Sequence, residues 1–114
     1  MPNPNSEIES TFNALADPTR RAVIQALSEG PASVSELARP FTMALPSFTQ
    51  HLGVLESAGL IVSRREGRSR ICRLNPEAMR AAEAWLAAHR RQWEARMDRF
   101  EAHLATQKKD TPHD

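Results

Sequence analysis

Residues Ala44–Leu60, ALPSFTQHLGVLESAGL, decide how the rest of the chain is read. At 100° per residue, Phe48, Leu52 and Leu55 fall in one narrow helical stripe. Thr49, Gln50, Gly53 and Ser57 fall on the opposite side. Large apolar anchors under small polar residues suit a helix that presents its polar face closely. Pro46 fits the first turn, where a missing N–H costs nothing, and Gly59 fits a left-handed C-cap.

Working outward, Leu60-Ile61-Val62 reads as a strand, Glu66-Gly67 as a turn and Ser69–Leu74 as a returning strand. Five arginines face one acid, Glu66, between Arg64 and Arg73, a patch that the net charge of +1 conceals. Helix followed by basic hairpin is the order of a winged helix-turn-helix. The expected fold is mainly α with a small β-hairpin, about five helices plus a two-stranded wing.

On the N-terminal side, residues 1–5 (MPNPN) are expected to be disordered. Ser6 caps a first helix carrying Ile8, Phe12 and Leu15 at i, i+4, i+7. Asp17-Pro18 starts a second helix, which buries Val23, Ile24 and Leu27 and stops at Gly30-Pro31. Ser33 with Glu36 forms a capping-box pattern for a third helix, Ser33 to about Phe41, with Val34, Leu37 and Ala38 inward. On the C-terminal side, Asn75-Pro76 caps a helix running to about Thr106, and 107–114 is expected to be disordered.

In that last helix Met79, Ala82, Leu86, His89, Trp93, Met97, Phe100 and Leu104 follow steps of 3 and 4, close to the coiled-coil period. About thirty residues make a rod of roughly 45 Å, longer than one domain of this size covers. Its first half can pack on the chain's own core. Its distal half has no partner left within one chain, so self-association is expected there, together with the first helix.

At 114 residues, 40% hydrophobic and 25% charged, the chain reads as one ordinary globular domain. No apolar run approaches the ~20 residues of a membrane span, and MPNPNSEIE does not read as a signal peptide. A single cysteine, Cys72, excludes an internal disulfide and fits a reducing, cytoplasmic setting. There is no P-loop, Gly-rich dinucleotide turn, nucleophile elbow or zinc-hydrolase motif, so an enzyme is not expected.

One ordered series carries a family resemblance: Leu15-Ala16-Asp17-Pro18-Thr19-Arg20-Arg21, Val34-Ser35-Glu36-Leu37-Ala38, His51-Leu52, Val54-Leu55-Glu56 and Ala58-Gly59-Leu60. Arg65-Glu66-Gly67-Arg68, Arg73-Leu74 and Pro76 continue it. The chain resembles the ArsR/SmtB-type transcriptional regulators over about residues 8–105, and within them the branch without metal-binding cysteines. The resemblance implies a homodimeric winged-helix repressor that binds a palindromic operator in double-stranded DNA. By segment it implies dimerisation helices at 8–16 and 76–106, a helix-turn-helix at 33–58 and a wing at 60–74. The implied dimer contacts are Phe12, Leu86, His89, Trp93, Met97, Phe100 and Leu104.

Groove chemistry then assigns roles. The polar side of residues 47–57 would enter the major groove, with Gln50 the best base reader because its amide pairs bidentately with adenine. Ser47 and Thr49 reach phosphates or bases, or are simply solvated. His51 flanks them, either as a contact or as a half-buried structural histidine. Gly53 costs helix propensity or permits close backbone approach. Arg64, Arg65, Arg68 and Arg70 would set the wing on phosphates or in the minor groove, governing affinity more than sequence choice. Family members often carry basic residues where Gln50 and Gly53 stand and a capping serine where Ala44 stands, which shifts expected phosphate engagement toward the wing.

No metal or other cofactor is expected. Glu36-Leu37-Ala38-Arg39-Pro40 holds no soft ligand where the family's paired cysteines lie. His89, Glu94, Asp98, Glu101 and His103 do not match the spacing of the family's other site, and Glu94 fits better as a partner of Arg90 or Arg91. Cys72 is read as a small buried residue, the alternative being a redox thiolate. The effector is not legible. The rival function is a winged-helix protein–protein module that docks through the long helix, for which the clustered arginines would be needless.

Overall fold

The computed structural model describes residues 4–110, with side chains from Ser6 to Gln107. Five helices and three short strands follow in order: α1 Pro4–Leu15, α2 Pro18–Leu27, β1 Ala32–Ser33, α3 Val34–Ala38, α4 Leu45–Ser57, β2 Ile61–Glu66, β3 Ser69–Leu74 and α5 Pro76–Asp110. Residues 1–3 and 111–114, part of the termini expected to be disordered, lie outside the described residues. The rest of those stretches, 4–5 and 107–110, lies in α1 and α5, which continue past the expected ends.

Local chemistry accounts for most boundaries. Asp17 accepts from the backbone N–H of Arg20 at 3.0 Å as N-cap of α2, with Pro18 next. Ser33 Oγ accepts from the Glu36 N–H and donates to Glu36 Oε1, both at 3.1 Å, a closed capping box at α3. At the end of α4, Gly59 has φ +78, Leu60 N–H bonds Leu55 O and Gly59 N–H bonds Glu56 O, which is a Schellman motif. Ala44 caps the start of α4 without a side-chain bond.

Two expectations need correction. The third helix is shorter than Ser33–Phe41: it stops at Ala38, and Phe41 N–H closes a turn on Ala38 O around Pro40, which has no N–H to continue the ladder. The wing is also part of a three-stranded antiparallel sheet ordered β1-β3-β2, because Ala32 and Ser33 pair with Cys72 and Ile71. A two-residue strand gives too little periodicity to be read from sequence.

The chain divides into two units, one up to Ala82 and one from Glu83 onward. In the first, Ala14, Val23, Ile24, Leu27, Leu37, Phe48, Leu52, Leu55, Leu60, Ile61 and Cys72 form one buried cluster. Phe48 contributes most volume and stacks on Phe41 with ring centroids 5.4 Å apart. In the second, α5 carries Leu86, Trp93, Met97, Phe100 and Leu104, all exposed. Trp85 and His89 stack at 3.8 Å between centroids, and His89 Nδ1 lies 2.9 Å from Trp85 O.

Candidate nucleic-acid interface

With Phe48, Leu52 and Leu55 buried, α4 turns Ser47, Thr49, Gln50 and Gly53 to solvent. Gly53 lies at the centre of this side and lines both flanking clefts. One, of about 480 Å³, lies toward α1 and is lined also by Ser10, Asn13, Gln50 and Ser57. The other, of about 320 Å³, lies toward the wing and is lined also by Thr49, Glu56, Ser63 and Arg70. A Cβ built on Gly53 would meet nothing within 4 Å, so packing inside the chain does not demand glycine there. Thr49 Oγ1 donates to Leu45 O at 2.9 Å. Its hydroxyl hydrogen is thus spent on the helix, leaving an acceptor and a methyl group to face outward.

His51 stands apart from the other predicted contacts. It is half-buried, its Nδ1 3.1 Å from Arg20 Nη1 and 3.7 Å from Asp17 Oδ2. A guanidinium can only donate, so Nδ1 accepts and neutral His51 carries its hydrogen on Nε2. Arg20 also donates from Nε to Ala14 O at 2.6 Å and from Nη2 to Asn13 O at 3.2 Å, capping the end of α1. One arginine therefore joins α1, the start of α2 and α4. The Arg20 N–H holds the Asp17 carboxyl below the usual carboxylate range, and the Arg20 charge adds to this against the effect of burial. This junction spans a sequence separation of 31 between Arg20 and His51, and no periodicity announces it.

The hairpin turns at Gly67, φ +62, the first of two loop residues, where a II′ turn requires glycine. Register then separates the arginines that composition groups together. Ile61, Ser63 and Arg65 face Leu74, Cys72 and Arg70 across the ladder and share the inner face. Arg64 and Arg73 lie on the other face, where Arg64 pairs with Glu66 at 2.9 Å. Arg68 is exposed in the turn. Arg70 Nη1 donates to Ser63 Oγ at 2.8 Å, and Ser63 Oγ donates to Glu56 Oε1 at 2.8 Å. Sequence reasoning missed Glu56; its signal was a carboxylate in the last turn of α4, the wrong end of the helix dipole.

Cys72 is 1% exposed. Burial pushes its thiol up, Glu56 raises it further and Arg70 pulls the other way, so the group stays a neutral core thiol. Among the described residues no three His, Cys, Asp or Glu side chains converge on a metal position. Glu94 pairs with Arg90 at 3.7 Å. No helix among the described residues is long and apolar enough to cross a membrane.

A helix-turn-helix domain family model matches residues 15–64. The HTH-type transcriptional regulator Rv2034 of Mycobacterium tuberculosis is 41% identical over 73 residues, covering 64% of this chain and 68% of that protein. The transcriptional repressor SdpR of Bacillus subtilis is 29% identical over 79 residues, covering 69% of this chain and 88% of that protein. The crystal structure of an ArsR family transcriptional regulator superposes with TM-score 0.76 at 51% identity, over 82% of this chain and 97% of that one. A homodimeric winged helix-turn-helix DNA-binding domain from Mycobacterium bovis, solved by NMR, gives TM-score 0.62 at 26% identity over 77% and 83%. With a recognition helix and an arginine-bearing wing in one compact unit, the chain belongs to the ArsR family of winged helix-turn-helix, DNA-binding transcriptional regulators.

Proposed function

We propose that the chain is a cytoplasmic, homodimeric repressor whose α4 reads the major groove of a palindromic operator. The observation that carries this is the exposed polar side of α4, Ser47, Thr49, Gln50 and Gly53, held over buried Phe48, Leu52 and Leu55 beside a basic hairpin. Gln50 supplies the bidentate amide, and Gly53 lets the backbone approach the groove floor. Arg65 and Arg68 supply phosphate contacts, while Arg64 shares its charge with Glu66. Each subunit buries Phe12 and the stripe Leu86, His89, Trp93, Met97, Phe100 and Leu104 against its partner. Half-sites then fall about one helical turn, ~34 Å, apart.

Fluorescence anisotropy with labelled duplex from the chain's own promoter tests this across a salt series. Expected are saturation at one dimer per palindrome and an affinity that falls steeply with salt. Gln50→Ala should lose about 1–3 kcal/mol of discrimination between operator and scrambled DNA. No binding to any duplex at low salt would sink the reading, and the apolar stripe of α5 would become the surface to pursue.

A further inference from the structure

Glu56 sits in the last turn of α4, among residues whose polar side is assigned above to DNA. A bare carboxylate there is disfavoured twice, by the helix dipole and by the field of the phosphates. Ser63 and Arg70 answer it from adjoining strands on the inner face of the wing. A hydroxyl has one hydrogen and a guanidinium has no acceptor, so the donors run one way, Arg70 to Ser63 to Glu56, each step 2.8 Å. Arg65 stands directly across the ladder from Arg70. Two like charges so placed repel unless an anion lies near one of them, and Arg70 reaches a carboxylate, Glu56, through the single Ser63 hydroxyl. The same three residues line the cleft between α4 and the wing.

We propose that Arg70 is a positioning residue: through Ser63 it holds and neutralises Glu56, setting the wing against the recognition helix, and it binds no phosphate itself. The proposal rests on the DNA-binding reading and removes one arginine from the phosphate contacts of the wing. Ser63 is the hinge of the arrangement because its hydroxyl is both acceptor and donor. An alanine there breaks the strap without altering any charge.

Binding to the promoter duplex is measured over a salt series for Arg70→Ala, Glu56→Gln and the double variant, with circular dichroism melts to confirm folding. Glutamine keeps the acceptor for Ser63 and removes the charge. Arg70→Ala should weaken binding about tenfold alone but at most about twofold in the Glu56→Gln background. An equal loss in both backgrounds, with the salt slope flattened by about 1 in each, is the signature of a phosphate contact and overturns the proposal. Amide exchange without DNA judges the strap separately. Ser63→Ala should speed exchange across residues 61–74 about tenfold, and unchanged exchange also overturns it. Failure of the unaltered chain to bind any duplex would strike the DNA reading instead, and the exchange result would still decide the strap.

Discussion

Up to Ala82 the chain buries most of its large apolar side chains, with Leu45 and Val62 exposed; from Glu83 onward it displays most of them. Phe48, Leu55, Leu60 and Ile61 are closed to solvent, and Ala82 in α5 is 7% exposed. Leu86, next along the same stripe, is 47% exposed, and Trp93 and Met97 are 56% and 58% exposed. Apolar surface leaves water wherever it can, so a continuous exposed apolar stripe is the feature that the proposed self-association would cover. The difference teaches that one region satisfies the hydrophobic rule within the chain, whereas the other leaves a stripe that, on the proposed reading, a second copy covers. At about 1.5 Å per residue, the 35 residues of α5 make a rod near 52 Å long, ample length for such a stripe.

The contrast can be broken at its strongest point first. Phe48→Ala empties the centre of the first region and should cost about 3–5 kcal/mol in urea unfolding. A loss below about 1 kcal/mol would mean that the core does not rest on α4. In the second region Met97→Glu with Phe100→Glu should leave the fold intact by circular dichroism and weaken self-association about 30-fold or more in sedimentation velocity. Unchanged sedimentation would remove the stripe as the dimer surface.

Smaller effects sharpen the picture on the DNA side. Arg65→Ala and Arg68→Ala should each flatten the slope of log affinity against log salt by about 1, leaving sequence preference unaltered. Gly53→Ala separates stability from function. With open space around its Cβ, alanine should stabilise the fold by about 0.5–1 kcal/mol while weakening operator binding. A gain in both would show that the backbone does not approach the DNA closely at Gly53. The smallest effect concerns pH. Folding holds Asp17 below the usual carboxylate range, so its charge stabilises the protein above about pH 4, and that contribution fades as pH falls through the folded-state value. Asparagine is an equally good N-cap. Asp17→Asn should therefore be less stable than the parent at pH 7, with the gap narrowing as pH falls below about 4 in urea titrations. A constant gap would exclude the charge as its source.

What was legible depended on range. The α2 start at Asp17, the Ser33–Glu36 box, the Gly59 terminus and the Gly67 turn each rest on a few neighbouring residues, and each was readable from them. The buried anchors Phe48, Leu52 and Leu55 were readable because helical period and hydrophobicity agreed. Grouping Arg64, Arg65, Arg68 and Arg70 as one patch overlooked strand alternation, which register turned into two faces and a turn. His51 left both readings open, and only the structure showed that Arg20 holds its Nδ1.

By itself, then, the sequence determined the helices and the hairpin, most of their caps, the family and the apolar stripe of α5, because these follow from local backbone preference and from periodicity along one chain; β1 and the end of α3 were not among them. Only the tertiary structure decided which polar side chains face outward and which are tied to one another. Arg20 to His51 and Glu56 to Ser63 to Arg70 are hydrogen bonds between different elements. Their existence depends on distances of about 3 Å that no pattern along the chain encodes.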